Sequence, residues 1–318
     1  MDHWAQDWMA ALPEELWDVP LNHLAIPGSH DTMSYCLDIN SPLVRSESDL
    51  FRILDGLCCC FTRPTIFKWA TTQDRCIEEQ LSMGIRYFDL RVARKPNDSS
   101  TCLHFTHILY THVTVLDTLS SVAVWLDSHP KEIVILACRH FEGIDDEFHE
   151  SFIVLLKKLF GPKLCRRDEA HLSLRSLWAS GRQVLLSYDD ADVASRHTQL
   201  LPGIPYWWAN QRTAHGAISY LEWNKQLGRP RGFFVTGLNL TADRKYIVTN
   251  PKQSLRTLTF TQWDHLSKWL QDQRPGSGRS DLNIIAGDFV GPLPLCSLVI
   301  GLNRKLLPNK NSRMENSY

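Results

Sequence analysis

Residues 84–93, GIRYFDLRVA, alternate with a period of two. Asp89 and Arg91 fall on one side of an extended chain, and Phe88, Leu90 and Val92 fall on the other. A strand that turns an apolar face one way and a carboxylate with a guanidinium the other suits a barrel. Helices cover its outside, and its inner positions near the carboxyl ends of the strands form a polar mouth. Two charges aimed inward are costly unless they pair or hold something charged. An ion pair that only sets register and a functional pair both satisfy that condition.

The same theme recurs along the chain. Short apolar runs end in polar clusters at LNHLAIPGSHD (21–31), CLHFTHILYTH (102–112), EIVILACRHFEG (132–143), GRQVLLSYDD (181–190), GFFVTGLNLT (232–241) and LNIIAGDFVG (282–291). Several read as strands buried on both faces. In the first, Pro27 and Gly28 read as a sharp turn that presents Ser29, His30, Asp31 and Thr32. Between the runs lie helical spacings. Residues 115–129 place Leu116, Leu119, Val122, Ala123 and Leu126 on one face, residues 146–161 place Phe148, Phe152, Leu155, Leu156 and Leu159, and residues 259–273 place Phe260, Trp263, Leu266 and Leu270. Strands alternating with helices predict a parallel sheet. The expected fold is a distorted, incompletely closed (β/α)8 barrel, with an open doubly wound sheet second, because no glycine-rich dinucleotide or P-loop turn is present. Residues 1–308 are expected to form one catalytic barrel and residues 309–318 a flexible tail.

Composition sets bounds. The 318 residues are 43% hydrophobic and 22% charged with a formal net charge of -1, which lacks the basic footprint of a nucleic-acid protein. The N-terminus has no signal-peptide pattern, and no apolar run reaches the ~18 residues of a membrane-spanning helix. Nine cysteines without metal-ligand spacing point to a reduced, cytoplasmic chain. Cys58, Cys59 and Cys60 read as a partly buried loop, with lipidation as the alternative.

If the barrel forms, the strand ends converge on one mouth and bring together His30, Asp31, Asp89, Arg91, His107, Arg139, His140, Tyr188, Asp189 and Asp288. Two histidines with carboxylate partners and two arginines are an inventory for phosphodiester cleavage. One imidazole removes a proton, the other delivers one, the carboxylates orient them, and the arginines clamp phosphoryl oxygens. Arg91 and Arg139 at inward positions would repel a divalent ion and can replace its charge, so no metal cofactor is expected; Ca²⁺ is the alternative.

The motifs IPGSHDT, GIRYFDLRV, HFTH, EIVILACRHFEG and NIIAGDF resemble the X-box region of phosphatidylinositol-specific phospholipases C, and in particular its small X-domain-containing members. The resemblance runs from about Trp8 to Leu307. It implies cleavage of phosphatidylinositol lipids to diacylglycerol and an inositol phosphate. His30 then stands as the base for the inositol 2-hydroxyl and Asp288 as its orienting carboxylate. His107 stands as the acid with Asp31 as partner, and Arg91 as the phosphate clamp; Asp89, Arg139 and Tyr188 are expected to contact substrate. Calcium-dependent members typically carry Asn at the position of Asp31 and acidic residues at those of Arg91 and Arg139. This chain sides with the metal-independent type. One departure is Ile108, where the family usually has Gly after the second histidine; His112 is the fallback acid. The partner implied is a membrane surface bearing phosphatidylinositol lipids, with Trp207, Trp208 or the 58–70 loop as contact elements. A lipid-binding scaffold with vestigial catalysis and a metal-dependent glycerophosphodiester phosphodiesterase are the competing readings.

Overall fold

The computed structural model describes residues 5–44, 56, 59–96, 100 and 102–308. The 309–318 tail and Cys58 lie outside the described residues. Among the described residues the strands are β1 (Ile26–Ser29), β2 (Tyr87–Ala93), β3 (His104–His107), β4 (Leu109–Thr114), β5 (Val134–Glu142), β6 (Val184–Tyr188), β7 (Leu200–Pro202), β8 (Tyr206–Trp207), β9 (Val235–Gly237) and β10 (Ile284–Gly287). The helices are α1 (Cys59–Ala70), α2 (Ile77–Met83), α3 (Val115–Ser128), α4 (Asp146–Phe160) and α5 (Leu174–Ala179), then α6 (Ala191–Arg196), α7 (Ala214–Leu227), α8 (Arg244–Thr249), α9 (Leu255–Asp272) and α10 (Leu295–Leu302).

Eight strands are parallel and run in the spatial order β7-β6-β5-β2-β1-β10-β9-β8. The sheet curls into a barrel whose seam lies between β7 and β8, where the described residues make no ladder. Only Gly203, Ile204 and Pro205 join these two strands. Neighbouring parallel strands need a crossover of about a dozen residues. A three-residue link instead carries the chain off the β6 edge and onto the β9 edge, and the seam stays open.

The β2 alternation holds. Phe88, Leu90 and Val92 pack outward with Leu119, Val122 and Leu126 of α3 in the main apolar core. Four local expectations change. Pro27 and Gly28 lie inside β1 rather than in a turn. Pro27 accepts from Arg86 N at 2.9 Å on the β2 side, and β2 pairs with β1 only from Gly28 onward, so the missing proline N–H breaks no ladder bond. Gly28 is required there, since a Cβ would meet Tyr87 Cδ1 at 2.8 Å.

Residues 102–112 form no barrel strand. They belong to the hairpin β3–β4, which hangs antiparallel from the upper end of β2 through Val92↔Phe105 and Ala93↔His104. Residues 59–70 form α1, not a loop, with Ile66, Trp69 and Ala70 buried in a second apolar cluster. Leu116, expected on the buried face of α3, is exposed because the face that meets the sheet is Val115, Leu119, Val122 and Leu126.

Candidate active site

The polar mouth is built at the carboxyl ends of β1, β2 and β10, with the β3–β4 hairpin closing one side. His30 follows β1, and Asp31 turns the chain with a left-handed φ of 42°; Phe289, after Asp288, does the same at 50°. Non-glycine residues hold this conformation only where the surroundings impose it. Here the constraint comes from the 71–74 segment. The buried Gln73 donates to His30 O (2.9 Å) and Gly287 O (3.0 Å) and accepts from Val290 N (3.2 Å), tying the ends of β1 and β10 together. Thr72 Oγ1 also donates to His30 O at 3.1 Å.

His30 Nδ1 donates to Asp288 Oδ1 at 2.8 Å. Its Nε2 lies 3.1 Å from an Arg91 terminal nitrogen and 3.3 Å from Asp31 Oδ2. A guanidinium can only donate, so neutral His30 accepts from Arg91, and protonated His30 can donate to Asp31 instead. On the other side of Asp31, His107 Nε2 is 3.3 Å from the same Oδ2. Its Nδ1 donates to Ala70 O, the last carbonyl of α1, at 2.6 Å. The two imidazole centroids are 6.3 Å apart. Arg91 is the hub: Nε pairs with Asp31 Oδ1, and a terminal nitrogen lies 3.7 Å from Asp89 Oδ2.

The electrostatics follow from burial and this pairing. Burial disfavours charged His30, but Asp31 and Asp288 outweigh it and raise its pKa. Burial lowers His107, against the opposing pull of Asp31. Burial alone would push Asp89 up, yet Arg91, His30 and Arg139 hold it down at about 2. Arg139 sits beside Arg91 in the β2–β5 register and stays charged because Asp89, Asp189 and nearby tyrosines offset its burial. Its Nε reaches Asp189 Oδ2 at 3.5 Å, and its guanidinium lies 5.7 Å from the centre of the Tyr206 ring.

His30, Asp31, Asp89, Arg91, His107, Arg139 and Asp288 are at the mouth as expected, and Asp189 joins them through Arg139. Tyr188 is the exception and is a correction. Its parity in β6 turns it outward into the helix layer, where its hydroxyl pairs with His149 Nδ1 of α4 at 2.7 Å and its ring stacks on Phe141. The aromatic ring at the mouth is instead Tyr206 of β8, 6.1 Å from His30 between centroids and donating to Asn239 Oδ1 at 2.8 Å. Tyr206, Asn239 and Gln73 escaped the sequence reading; PYWWAN and the GLN of GLNLT carried the first two inside motifs whose side-chain parity was not resolved. His112 is exposed on the hairpin and pairs at 3.9 Å with Asp38, not with a residue of this cluster.

His30, Asp31 and Asp89 carry ligand atoms within 4.8 Å of one another, the spacing of a metal site. The Arg91 guanidinium already stands among all three. A divalent cation at these atoms would have to displace it.

A protein 48% identical over 302 residues, covering 95% of this chain and 93% of its own length, is the "PI-PLC X domain-containing protein 1" of Homo sapiens. The chain belongs to the PI-PLC X domain family. The Danio rerio protein of the same name is 46% identical over 301 residues, covering 94% of this chain and 97% of its own. The family model described as PI-PLC X 1 matches residues 67–226, which include Arg91, His107 and Arg139. The fold is similar to that of the phosphatidylinositol-specific phospholipase C from Listeria monocytogenes, with a TM-score of 0.64 at 17% identity over 93% of this chain and 98% of that one. A mutant of the phosphatidylinositol-specific phospholipase C from Staphylococcus aureus gives 0.65 at 15% identity, covering 93% and 95%. No helix among the described residues is long and apolar enough to cross a membrane.

Proposed function

We propose that the chain is a metal-independent phosphodiesterase that cleaves phosphatidylinositol lipids into diacylglycerol and an inositol phosphate. The observation that carries this reading is the pair of imidazoles facing one another across Asp31 and Arg91, each with its outer nitrogen fixed by a separate acceptor. His30, oriented by Asp288, takes the proton of the inositol 2-hydroxyl. The resulting alkoxide attacks phosphorus, and the phosphorus–oxygen bond to diacylglycerol breaks. His107 delivers a proton to that leaving oxygen, and the product is a cyclic inositol phosphate. Arg91 offsets charge on the phosphoryl oxygens and stands where a metal ion would otherwise act. Tyr206, Asn239 and Arg139 line the path of the inositol ring.

The productive form has His30 neutral and His107 protonated. The raised pKa of His30 and the lowered one of His107 favour the opposite distribution in the free protein. A minority form therefore carries the reaction, and kcat/KM falls on both sides of an optimum between the two pKa values.

Lipid contact is assigned to the rim. Trp208 is 49% exposed with its indole N–H held by Thr241 Oγ1 at 2.9 Å, and Val248 of α8 is exposed near the same end of the barrel. Trp207 is buried and is not a contact element. The deciding experiment is release of inositol phosphate from phosphatidylinositol vesicles by purified protein in excess chelator. Full activity there supports the reading, and activity restored only by added calcium overturns its metal-free part. Saturable vesicle binding without turnover would make the chain a lipid-binding member of the family.

A further inference from the structure

The barrel carries a second concavity away from the mouth. A cavity of ≈ 240 Å³ opens beside the seam, along Leu201 to Pro205. Its other walls come from segments that precede strands: Asn22 before β1, the Arg167–His171 stretch before β6, and Arg231 to Phe233 before β9. Leu201 to Gly203 end and follow β7, but the other walls lie on the amino-terminal side of their strands, away from the His30–His107 cluster at the carboxyl ends. The cavity exists because of the seam. In a closed barrel a strand ladder would fill this place, whereas here the three-residue link leaves the edges of β7 and β8 apart.

Its lining combines two chemistries. Leu201, Ile204 and Phe233 are buried apolar side chains that form the floor. Arg167, His171 and Arg231 supply the polar wall, and among the described residues no carboxylate lines the cavity. The Arg167 donors go to carbonyls: Nε to Leu200 O at 2.9 Å, a terminal nitrogen to His197 O at 3.2 Å and to Ala194 O. Its charge is thereby anchored at the wall, and among the described residues no carboxylate pairs with it. Arg231 is exposed and meets no carboxylate among the described residues. Asp168, whose charge acts on His171, pairs with Arg166 at 3.0 Å. Apolar surface with a few convergent polar groups is the usual make-up of a small-molecule site, and this volume lies below the ~300 Å³ at which drug-sized pockets begin.

We propose that this seam cavity binds a small amphiphilic anion, a short acyl chain with a carboxylate or phosphate head. The chain would lie on Leu201, Ile204 and Phe233, and the head would face Arg231 and Arg167. The site is independent of the mouth and of the reaction assigned to it.

The test is titration calorimetry of the full chain with octanoate, with 1-octanol and inorganic phosphate as the two half-ligands. Octanoate is expected to saturate one site and to bind more tightly than either half-ligand. Arg231→Glu, a surface change that leaves the core intact, is expected to weaken octanoate by about tenfold, the equivalent of ~1.4 kcal/mol. His30→Ala is expected to leave octanoate binding unchanged while abolishing any phosphodiesterase activity. Absence of saturable binding overturns the proposal. So does equal binding of octanol, an affinity indifferent to Arg231→Glu, or loss of binding in His30→Ala, which would move the ligand to the mouth.

Discussion

The barrel buries charge at both ends, and the two clusters are built differently. At the lower end Arg86 and Glu132 are completely buried and meet at 2.8–2.9 Å. Arg86 also donates to Leu81 O and Ile85 O (both 2.8 Å) and to Gln6 O (2.6 Å), while Glu132 accepts from Met9 N and Ala10 N. This pair pins the N-terminal segment beneath the barrel, and its donors and acceptors are consumed by the fold. Burial still pushes Glu132 up despite Arg86, as expected where desolvation rivals the attraction of a buried pair.

At the mouth the pairing is left incomplete. Among the described residues Asp89 Oδ1 and Asp288 Oδ2 are buried without a hydrogen-bond partner, and Asp31 meets its neighbours as charge contacts rather than aligned hydrogen bonds. Asp31, Ile108 and Phe289 hold left-handed backbone around it. A cluster that satisfies itself is architecture; one that stays unsatisfied and strained at a mouth is arranged for a ligand.

That contrast can be broken or sharpened by experiment. The largest effect is expected at the mouth: His30→Ala or His107→Ala should each lower inositol phosphate release by about 10²–10⁴-fold or more. Stability, followed by denaturant unfolding, should change far less than activity. Next is Glu132→Ala at the lower end, which leaves the Arg86 charge buried and unpaired. It should cost about 3–5 kcal/mol in unfolding free energy, with kcat of the folded fraction unchanged. Equal losses of activity from both ends would erase the distinction.

A smaller effect is expected at Ile108. Its φ of 66° is unfavourable for a β-branched residue, and glycine would relieve about 1–2 kcal/mol. Ile108 is buried in the apolar cluster shared with Ile66 and Trp69 of α1, however, and losing such a side chain costs about 2–5 kcal/mol. Burial wins, so Ile108→Gly should lower stability by on the order of 2 kcal/mol. A more stable variant would show that strain dominates the turn carrying His107.

The smallest effect is in pH dependence. His30 is raised above its ordinary 6.5 by Asp31 and Asp288 against the cost of burial, so the stability it contributes is fully present below 6.5. That contribution is lost as pH rises through the raised value. In His30→Ala the decline of stability above 6.5 should become shallower; an unchanged slope would mean that His30 is not paired as described.

Much of this was legible in the residues. The alternation of GIRYFDLRVA placed Asp89 and Arg91 inward correctly because period two is a local property of an extended chain. His30, Asp31, His107 and Asp288 were legible as candidates because their motifs end or follow strands. Tyr188 failed for a related reason: its position at the end of a strand says that it is near the mouth, and only its parity says which way it points. The 102–112 run misled because a hairpin with a one-residue turn at Ile108 keeps the hydrophobicity of a single long strand.

The amino-acid sequence by itself determined the alternation of strands and helices, the inward charges of β2 and the set of candidate acid–base residues. Only the tertiary structure decided their partners. The Ala70 carbonyl that orients His107 is 37 residues away, and the Asp288 that orients His30 is 258 away. The seam and its cavity likewise follow from how the sheet closes. Local periodicity dictates which face a side chain takes, whereas partners, closure and cavities depend on where distant segments meet.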